Sequence, residues 1–526
     1  MPCRQAWTLR QAWTLPRGGL CTCVILIGMD CRRLISLAVR DRNRLKGGLV
    51  CLLLLLVAGA GWLLRATGAA PSAIRFELKP IAFQLEHGEV KARHVPATMA
   101  GGLAVFDYNR DGRPDIFFTN GANLATLKKD DPKYRNRLFR NDGNGVFTDV
   151  TESAGLAGTG FDSGVAVGDY DNDGYPDLFV AGVHHNTLYH NNGDGTFTDV
   201  SKESGIGSIE HSYGLTAVTF DADDDGWPDI YVACDTTPSL LFLNNHDGTF
   251  REEGLMRGVA ISPDGQDMSG MGIGVGDYDL DGRLDLLKTH FQFQPSGLFH
   301  NNGKGEFEDR AMAAGISGDR QFVSWGAGIV DLDNDGYPDI FWVAGNIYAE
   351  LERANPMFPY KCPRVLFRNR GDGTFVRLGV EAGEAIAARH VSRGCAFGDF
   401  DNDGDLDIVI MNQNEPPSLL RNDAPKDHHW LKIRLEGTRS NRSAIGAKVL
   451  ARYGGKVQAQ AVLSQSSYVS ANDPRLHFGL GPETQADIEV YWPSGAVEKF
   501  PAQAANRLVT ILEGKGIVPG RPFSAT

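Results

Sequence analysis

Asp331-Leu332-Asp333-Asn334-Asp335-Gly336-Tyr337-Pro338-Asp339 puts carboxylates at positions 1, 3, 5 and 9 of nine residues, with glycine at position 6. Calcium takes about six to eight oxygen ligands, and a short loop with this spacing, helped by a backbone carbonyl at position 7, supplies most of them. A single copy would read as a soluble turn. The pattern D-x-[DN]-x-D-G-x-x-D instead starts at Asp107, Asp169, Asp221, Asp277, Asp331 and Asp399, with spacings of 62, 52, 56, 54 and 68 residues. Repetition of one nine-residue grammar favours metal ligation over chance turns.

The candidate ligands are Asp107, Asn109, Asp111 and Asp115 in the first loop and Asp169, Asp171, Asp173 and Asp177 in the second. They are Asp221, Asp223, Asp225 and Asp229 in the third loop and Asp277, Asp279, Asp281 and Asp285 in the fourth. The fifth contributes Asp331, Asp333, Asp335 and Asp339, and the sixth Asp399, Asp401, Asp403 and Asp407. The expected cofactor is Ca2+, up to about six ions. Glycine stands at position 6 in all six copies, from Gly112 to Gly404, where the chain must turn sharply. The helical calcium hand does not fit, because it needs a glutamate at position 12 and flanking helices. Asn109 leaves the first loop one charge short, so its affinity is expected to be the weakest. No His or Cys lies within a loop, which disfavours zinc and other transition metals.

Strand-like runs follow the loops: Asp-Ile-Phe-Phe-Thr from Asp115, Asp-Leu-Phe-Val-Ala from Asp177, Asp-Ile-Tyr-Val-Ala from Asp229 and Asp-Ile-Val-Ile-Met from Asp407. β-branched and aromatic residues in short runs predict buried strands. An L-[FY]-x-N strand then enters a Gly-rich hairpin in most units, as in Asn141 to Phe147 and Asn369 to Phe375. Four short strands per unit of roughly 50 to 60 residues, together with 63 glycines and 25 prolines, predict an all-β chain built as a β-propeller, with a linear solenoid as runner-up. The sixth unit ends at Arg421-Asn422-Asp423 without its hairpin. Its missing outer strand is expected from Phe76 to Glu86, which would close the ring.

Beyond Asp427 the loops stop, and alternating strands separated by Gly, Pro and Asn turns predict a small second β domain. The expected organisation is 1–70 as a basic segment with an export signal or anchor, 71–426 as the propeller, 427–515 as the β domain and 516–526 as a tail. Gly47 to Leu64 is apolar behind six Lys/Arg from Arg32 to Lys46, which reads as an export signal or a single membrane anchor. The tandem Arg-Gln-Ala-Trp-Thr-Leu at Arg4 and Arg10 fits no export signal, and translation is expected to start at Met29.

Residues 1 to 65 hold ten Lys/Arg against Asp30 and Asp41, a balance of +8, so the total of −13 leaves −21 after Arg65. Nucleic acid is an unsuitable partner for that surface. Three cysteines, Cys234, Cys362 and Cys395, follow the apolar run and allow at most one disulfide, with Cys362–Cys395 the candidate pair.

The glycine-rich run Gly270 to Gly276 is read as close packing near the propeller axis, not as a dinucleotide fingerprint, since no helix pattern follows it. His184-His185 and His428-His429 lack a third partner at ligand spacing and are read as surface or interdomain histidines.

The repeats resemble the FG-GAP or VCBS type found in integrin α-subunit propellers. The text from Gly446-Ala447-Lys448 to Trp492-Pro493-Ser494-Gly495 resembles the ASPIC/UnbV domain. Their succession is similar to cartilage acidic protein-like secreted proteins. The resemblance implies seven blades, whereas six loops are counted; either one blade lacks its loop, within the 331 to 399 interval, or the ring has six.

The expected function is that of an extracytoplasmic, calcium-binding module presenting a protein or glycan ligand with loops such as Ala344 to Tyr360. The alternatives are a polysaccharide lyase or hydrolase using the central face and a structural role in envelope assembly.

Overall fold

The computed structural model describes residues 76–86, 101–168, 175–182, 185–200, 214–227, 229–235, 237–244, 246 and 250–519, apart from 425. The apolar run Gly47 to Leu64, Asp169, Asp171, Asp173 and His184 lie outside the described residues. Among the described residues no helix is long and apolar enough to cross a membrane.

Among the described residues six sheets carry the repeat, and the strands within each repeat pair antiparallel. In each, an innermost strand such as Ser324–Val330 runs into the aspartate loop, and the second strand begins on the ninth loop residue, as Asp339–Ala344 does. Every residue of Asp285–His290, Asp339–Ala344 and Asp407–Asn412 is buried, which is why Ile340 to Ala344 and Ile408 to Met411 are apolar without alternation, while Asp285–His290 buries Lys288, Thr289 and His290 as well.

The innermost strands touch between the first and second units and between successive units from the third to the sixth, and Ser392–Gly398 touches Leu103–Phe106, so the last unit meets the first. The approach is closest around Gly272, where a Cβ would stand 2.2 Å from the Trp325 carbonyl oxygen. The Gly270 to Gly276 run is therefore a backbone-to-backbone contact between the fourth and fifth units.

The sixth sheet takes its outer strand from the other end of the ring. Phe76–Pro80 pairs antiparallel with Ser418–Asn422, in register from Phe76 with Asn422 to Pro80 with Ser418. Just beyond it, Ile81, Phe83 and Leu85 are buried, and Phe83 stacks on Phe118 at 4.7 Å. The 331 to 399 interval holds one sheet and not two; its extra length is a loop with the short helix Ala349–Ala354, closed by Gly345 pairing with Lys361.

Residues after 428 form two further four-stranded sheets, one containing His429–Glu436 and Leu476–Gly481, the other Lys448–Tyr453 and Lys456–Ala461. They enclose a core that includes Leu431, Ile433, Val449, Phe478, Ile488 and Trp492.

The expected Cys362–Cys395 bridge is corrected: Cys234, Cys362 and Cys395 are all free and buried. Cys395 faces the propeller interior, 3.3 Å from Ser467 Oγ, while Cys362 lies in the loop that pairs with His390. Burial pushes both thiols up to about 12, so they behave as apolar side chains.

Candidate metal centres

Each loop whose first aspartate is described is held by it. Asp107 accepts from the N–H of Asp111 at 2.9 Å and of Gly112 at 2.8 Å, and Asp277 and Asp399 make the same pair of bonds. To bring those N–H groups inward, position 4 adopts a left-handed backbone whatever its side chain: Arg110, Asp224, Leu280, Asn334 and Asn402 have φ between 58° and 64°. A non-glycine residue there costs roughly 1–2 kcal/mol. The glycine at position 6 is left-handed as well, at 84° in Gly336.

The ninth aspartate has a structural role that the spacing did not reveal. Asp339 is buried and accepts from the N–H of Leu332 at position 2 and of Asn369, the asparagine of the L-[FY]-x-N motif. That asparagine reaches backward: Asn369 Nδ2 donates to Tyr278 O of the preceding unit at 2.9 Å and to Pro338 O at 2.8 Å. Asn191 reaches Tyr108 O, Asn301 reaches Ala222 O and Asn422 reaches Leu332 O in the same way. Asn141 of the first unit donates to Phe400 O of the sixth, carrying the series across the ring closure. Each of these five asparagines thus staples its sheet to the one before.

Asn369→Ala leaves buried backbone carbonyls of two units unpaired, and is expected to destabilise the chain by about 2–4 kcal/mol, read as a lower urea midpoint at unchanged m-value.

The loops differ in charge balance. In the fifth, Asp331, Asp333 and Asp339 are all buried and bring one oxygen each within 4.8 Å of the others. Among the described residues no lysine, arginine or histidine forms an ion pair with Asp331, Asp333, Asp335 or Asp339. Asp331 Oδ1 is buried and has no hydrogen-bond partner. Burial first, and then the neighbouring carboxylates, raise Asp331 and Asp339 well above the usual range, and Asp335 to about 6. Four such groups cannot all ionise without a cation, and an all-oxygen donor set suits calcium. The residues fit the ion.

Position-1 and position-3 aspartates also cluster in the third, fourth and sixth loops. At the fourth, His300 arrives from the neighbouring strand Gly297–Asn301, with Nδ1 3.1 Å from Asp279 and 3.4 Å from Asp285. The absence of histidine within the loops therefore does not keep imidazole away from this cluster. His300 fills the x position of L-[FY]-x-N; Arg421, at that position in the sixth unit, stands 3.4 Å from Asp401. In the first loop Arg113 pairs with Asp111 at 2.6 Å, adding to the charge deficit at Asn109. Of the second loop's candidate ligands only Asp177 is described, and it is buried.

An FG-GAP-like repeat model matches residues 107–180, 169–232, 221–287 and 363–410, and a model of the ASPIC and UnbV domain matches 437–518. The chain carries FG-GAP-like repeats followed by an ASPIC and UnbV domain. It is 30% identical over 277 residues to cartilage acidic protein 1 of Homo sapiens, covering 51% of this chain and 39% of the relative. It is also 30% identical over 282 residues to that of Xenopus tropicalis, covering 51% and 40%. The chain spans about two fifths of the length of these curated relatives. Among solved structures, an Agrocybe aegerita lectin that recognises non-reducing terminal N-acetylglucosamine matches with TM-score 0.33 and 20% identity, over 62% of this chain and 81% of the lectin. The six-bladed fucose-recognising lectin of Aleuria aurantia matches with TM-score 0.36 and 11% identity, over 62% and 95%.

The sheets of the ASPIC/UnbV region lie on the loop face of the FG-GAP propeller. Ala459 donates its N–H to Asp277 Oδ2 at 2.8 Å, and Gly481 donates its own to Asn334 O at 2.8 Å. From the same region, residues 466–471 enter the space between the innermost strands. Ser467 exchanges backbone bonds with Ile273 of the fourth unit, and Ser470–Ala471 pairs in parallel with Leu103–Ala104 of the first. Between them Tyr468 is buried, edge-on to Trp325 at 5.0 Å, and Arg393 lies 4.2 Å from the same indole ring.

Proposed function

We propose that this chain is a calcium-loaded, extracytoplasmic six-unit propeller that binds a protein or glycan ligand. Its propeller spans 71–426 and its β domain 427–515. The observation that carries the metal reading is the fifth loop: three buried carboxylates and the half-buried Asp335, without an ion-paired partner among the described residues. The basic-then-apolar segment before residue 65 and the acidic excess after it support export. Because the ASPIC/UnbV sheets cover the loop face, the surface left for a ligand is the opposite one. There Phe293 is half exposed and packs edge-on to Phe358 at 5.6 Å, beside exposed Met357. This patch lies within and against the Ala344 to Tyr360 segment, and aromatic side chains suit both sugar faces and protein anchors.

The enzyme reading places its chemistry on the central face. Residues 466–471 cross that axis, so binding is the better supported function.

Calorimetric titration of the full chain with calcium is expected to show binding, with one site lost in Asp333→Asn/Asp339→Asn. A heat-free titration of the wild type would overturn the metal reading.

A further inference from the structure

The ASPIC/UnbV sheets meet the same atom in four successive loops: the outer oxygen, Oδ2, of the first aspartate, which the loop also uses to hold the glycine N–H. At the fourth loop the group that arrives is neutral, the N–H of Ala459 on Asp277. At the fifth it is the bare backbone of Gly479, where a Cβ would lie 1.9 Å from Asp331 Oδ2. At the other two it is an ammonium. Lys432, 4% exposed, is ion-paired with Asp399 Oδ2 of the sixth loop, whose own side chain is fully buried; burial first, and then Arg475, pull its amine well below the usual lysine range, and the Asp473 carboxylate opposes them. Lys448, 10% exposed, lies 3.5 Å from Asp221 Oδ2 of the third loop and is ion-paired with Asp224.

The sixth loop is the more heavily compensated. Lys426 stands 3.1 Å from Asp403, and Arg475 donates to Asn402 Oδ1 at 2.8 Å and to the Asp399 carbonyl at 3.4 Å. At the fifth loop Lys456 donates only to the backbone carbonyls of Asp335 and Gly336, both at 3.4 Å, so the contrast between the two loops is whether an ammonium reaches the first carboxylate.

Resting on the calcium reading above, we propose that Lys432 and Lys448 are built-in counter-ions that lower the calcium affinity of the sixth and third loops. The C-terminal sheets thereby divide otherwise equivalent repeats into loops that depend on calcium, the fifth above all, and loops already balanced by the protein's own lysines. Neither lysine needs to enter the coordination sphere. An ammonium fixed on the outer oxygen withdraws negative charge from the carboxylate and repels a divalent ion held on its inner side. At such separations the repulsion corresponds to roughly a tenfold change in affinity even with strong screening. Both lysines are positioning residues in this sense. The carboxylates are shared, so the dependence is reciprocal: a cation bound in the sixth loop weakens the hold on Lys432.

The test is calcium calorimetry of the full chain, comparing wild type with Lys432→Met and Lys448→Met, each paired with its arginine variant. Methionine keeps much of the aliphatic stem and removes the charge. Each methionine variant is expected to bind calcium about tenfold more tightly at one site, and to lose more of its thermal stability than wild type when calcium is withdrawn. Lys448→Arg, at the less buried position, is expected to restore the wild-type isotherm, an outcome that simple loss of packing would not produce. If Lys432→Met does not fold, the Lys448 pair decides. Methionine isotherms that superimpose on wild type overturn the counter-ion proposal and leave the calcium reading standing. A wild type that binds no calcium overturns both.

Discussion

A chain stripped of calcium is expected to unfold at least several degrees below the calcium-loaded chain at pH 7.5, and the gap is expected to close as the pH falls toward 4. One ion held at a hundredfold excess over its Kd adds about 2.7 kcal/mol. The pH dependence follows from the fifth loop. Its carboxylates titrate higher in the metal-free fold than in the unfolded chain: burial and mutual repulsion push Asp335 up to about 6 and Asp331 and Asp339 well above the ordinary value of 3.8. A carboxylate raised by folding is protonated in both states below its unfolded value and incurs no penalty there. As the pH climbs through 4 to 6 the unfolded chain ionises first, and the metal-free fold loses stability. Calcium supplies the missing charge and removes that loss. Scanning calorimetry of loaded and stripped protein at both pH values measures the difference; equal midpoints at pH 7.5 would sink the structural role of the ions.

Deleting residues 71–86 is expected to have the second large effect. The deletion removes the outer strand paired with Ser418–Asn422 and the buried side chains of Ile81, Phe83 and Leu85. At about 1.5–3 kcal/mol per buried side chain, the loss is on the order of 5 kcal/mol before the strand's own hydrogen bonds are considered. Ser418–Asn422 would become an open edge, and exposed edges pair with other chains. The truncated protein is therefore expected to form oligomers in size-exclusion chromatography with light scattering, and a synthetic peptide covering residues 74–86 is expected to return it to monomer. A truncated chain that stays monomeric with an unchanged unfolding midpoint would show that ring closure rests elsewhere.

What could be read from residues alone was what is local. The loop grammar, the glycine at position 6 and the strands after position 9 are each contained in a dozen residues, and the structure places them as expected. The outer strand at Phe76 was legible for a different reason: the sixth unit visibly lacks its hairpin, and a sheet short of an edge has to find one. Partners from distant units stayed hidden. Nothing around Asn369 says that its amide reaches Tyr278, because that contact depends on how two sheets lie side by side. The x position of L-[FY]-x-N reads as a solvent-facing strand residue, yet it aims His300 and Arg421 at their own loops. Nothing in Ser466 to Ser470 announces that this segment packs in the middle of the ring. The guess at Cys362–Cys395 failed because three leftover thiols constrain a count and not a distance.

The pairing of Phe76–Pro80 with Ser418–Asn422 also sets an order of events. The strand that closes the ring is the first part of the propeller to be synthesised, and its partner is among the last. Until residue 422 has been made, the early strand has no sheet to join, and the segment around Tyr468 that fills the centre comes later still. Contacts this distant in sequence slow folding, because the intervening chain must be gathered before they repay their entropy. A ribosome or an export channel therefore delivers a molecule whose individual sheets can form as they emerge but whose circle stays open, and whose stretch from Ile81 to Leu85 stays unburied, until the end of the chain arrives.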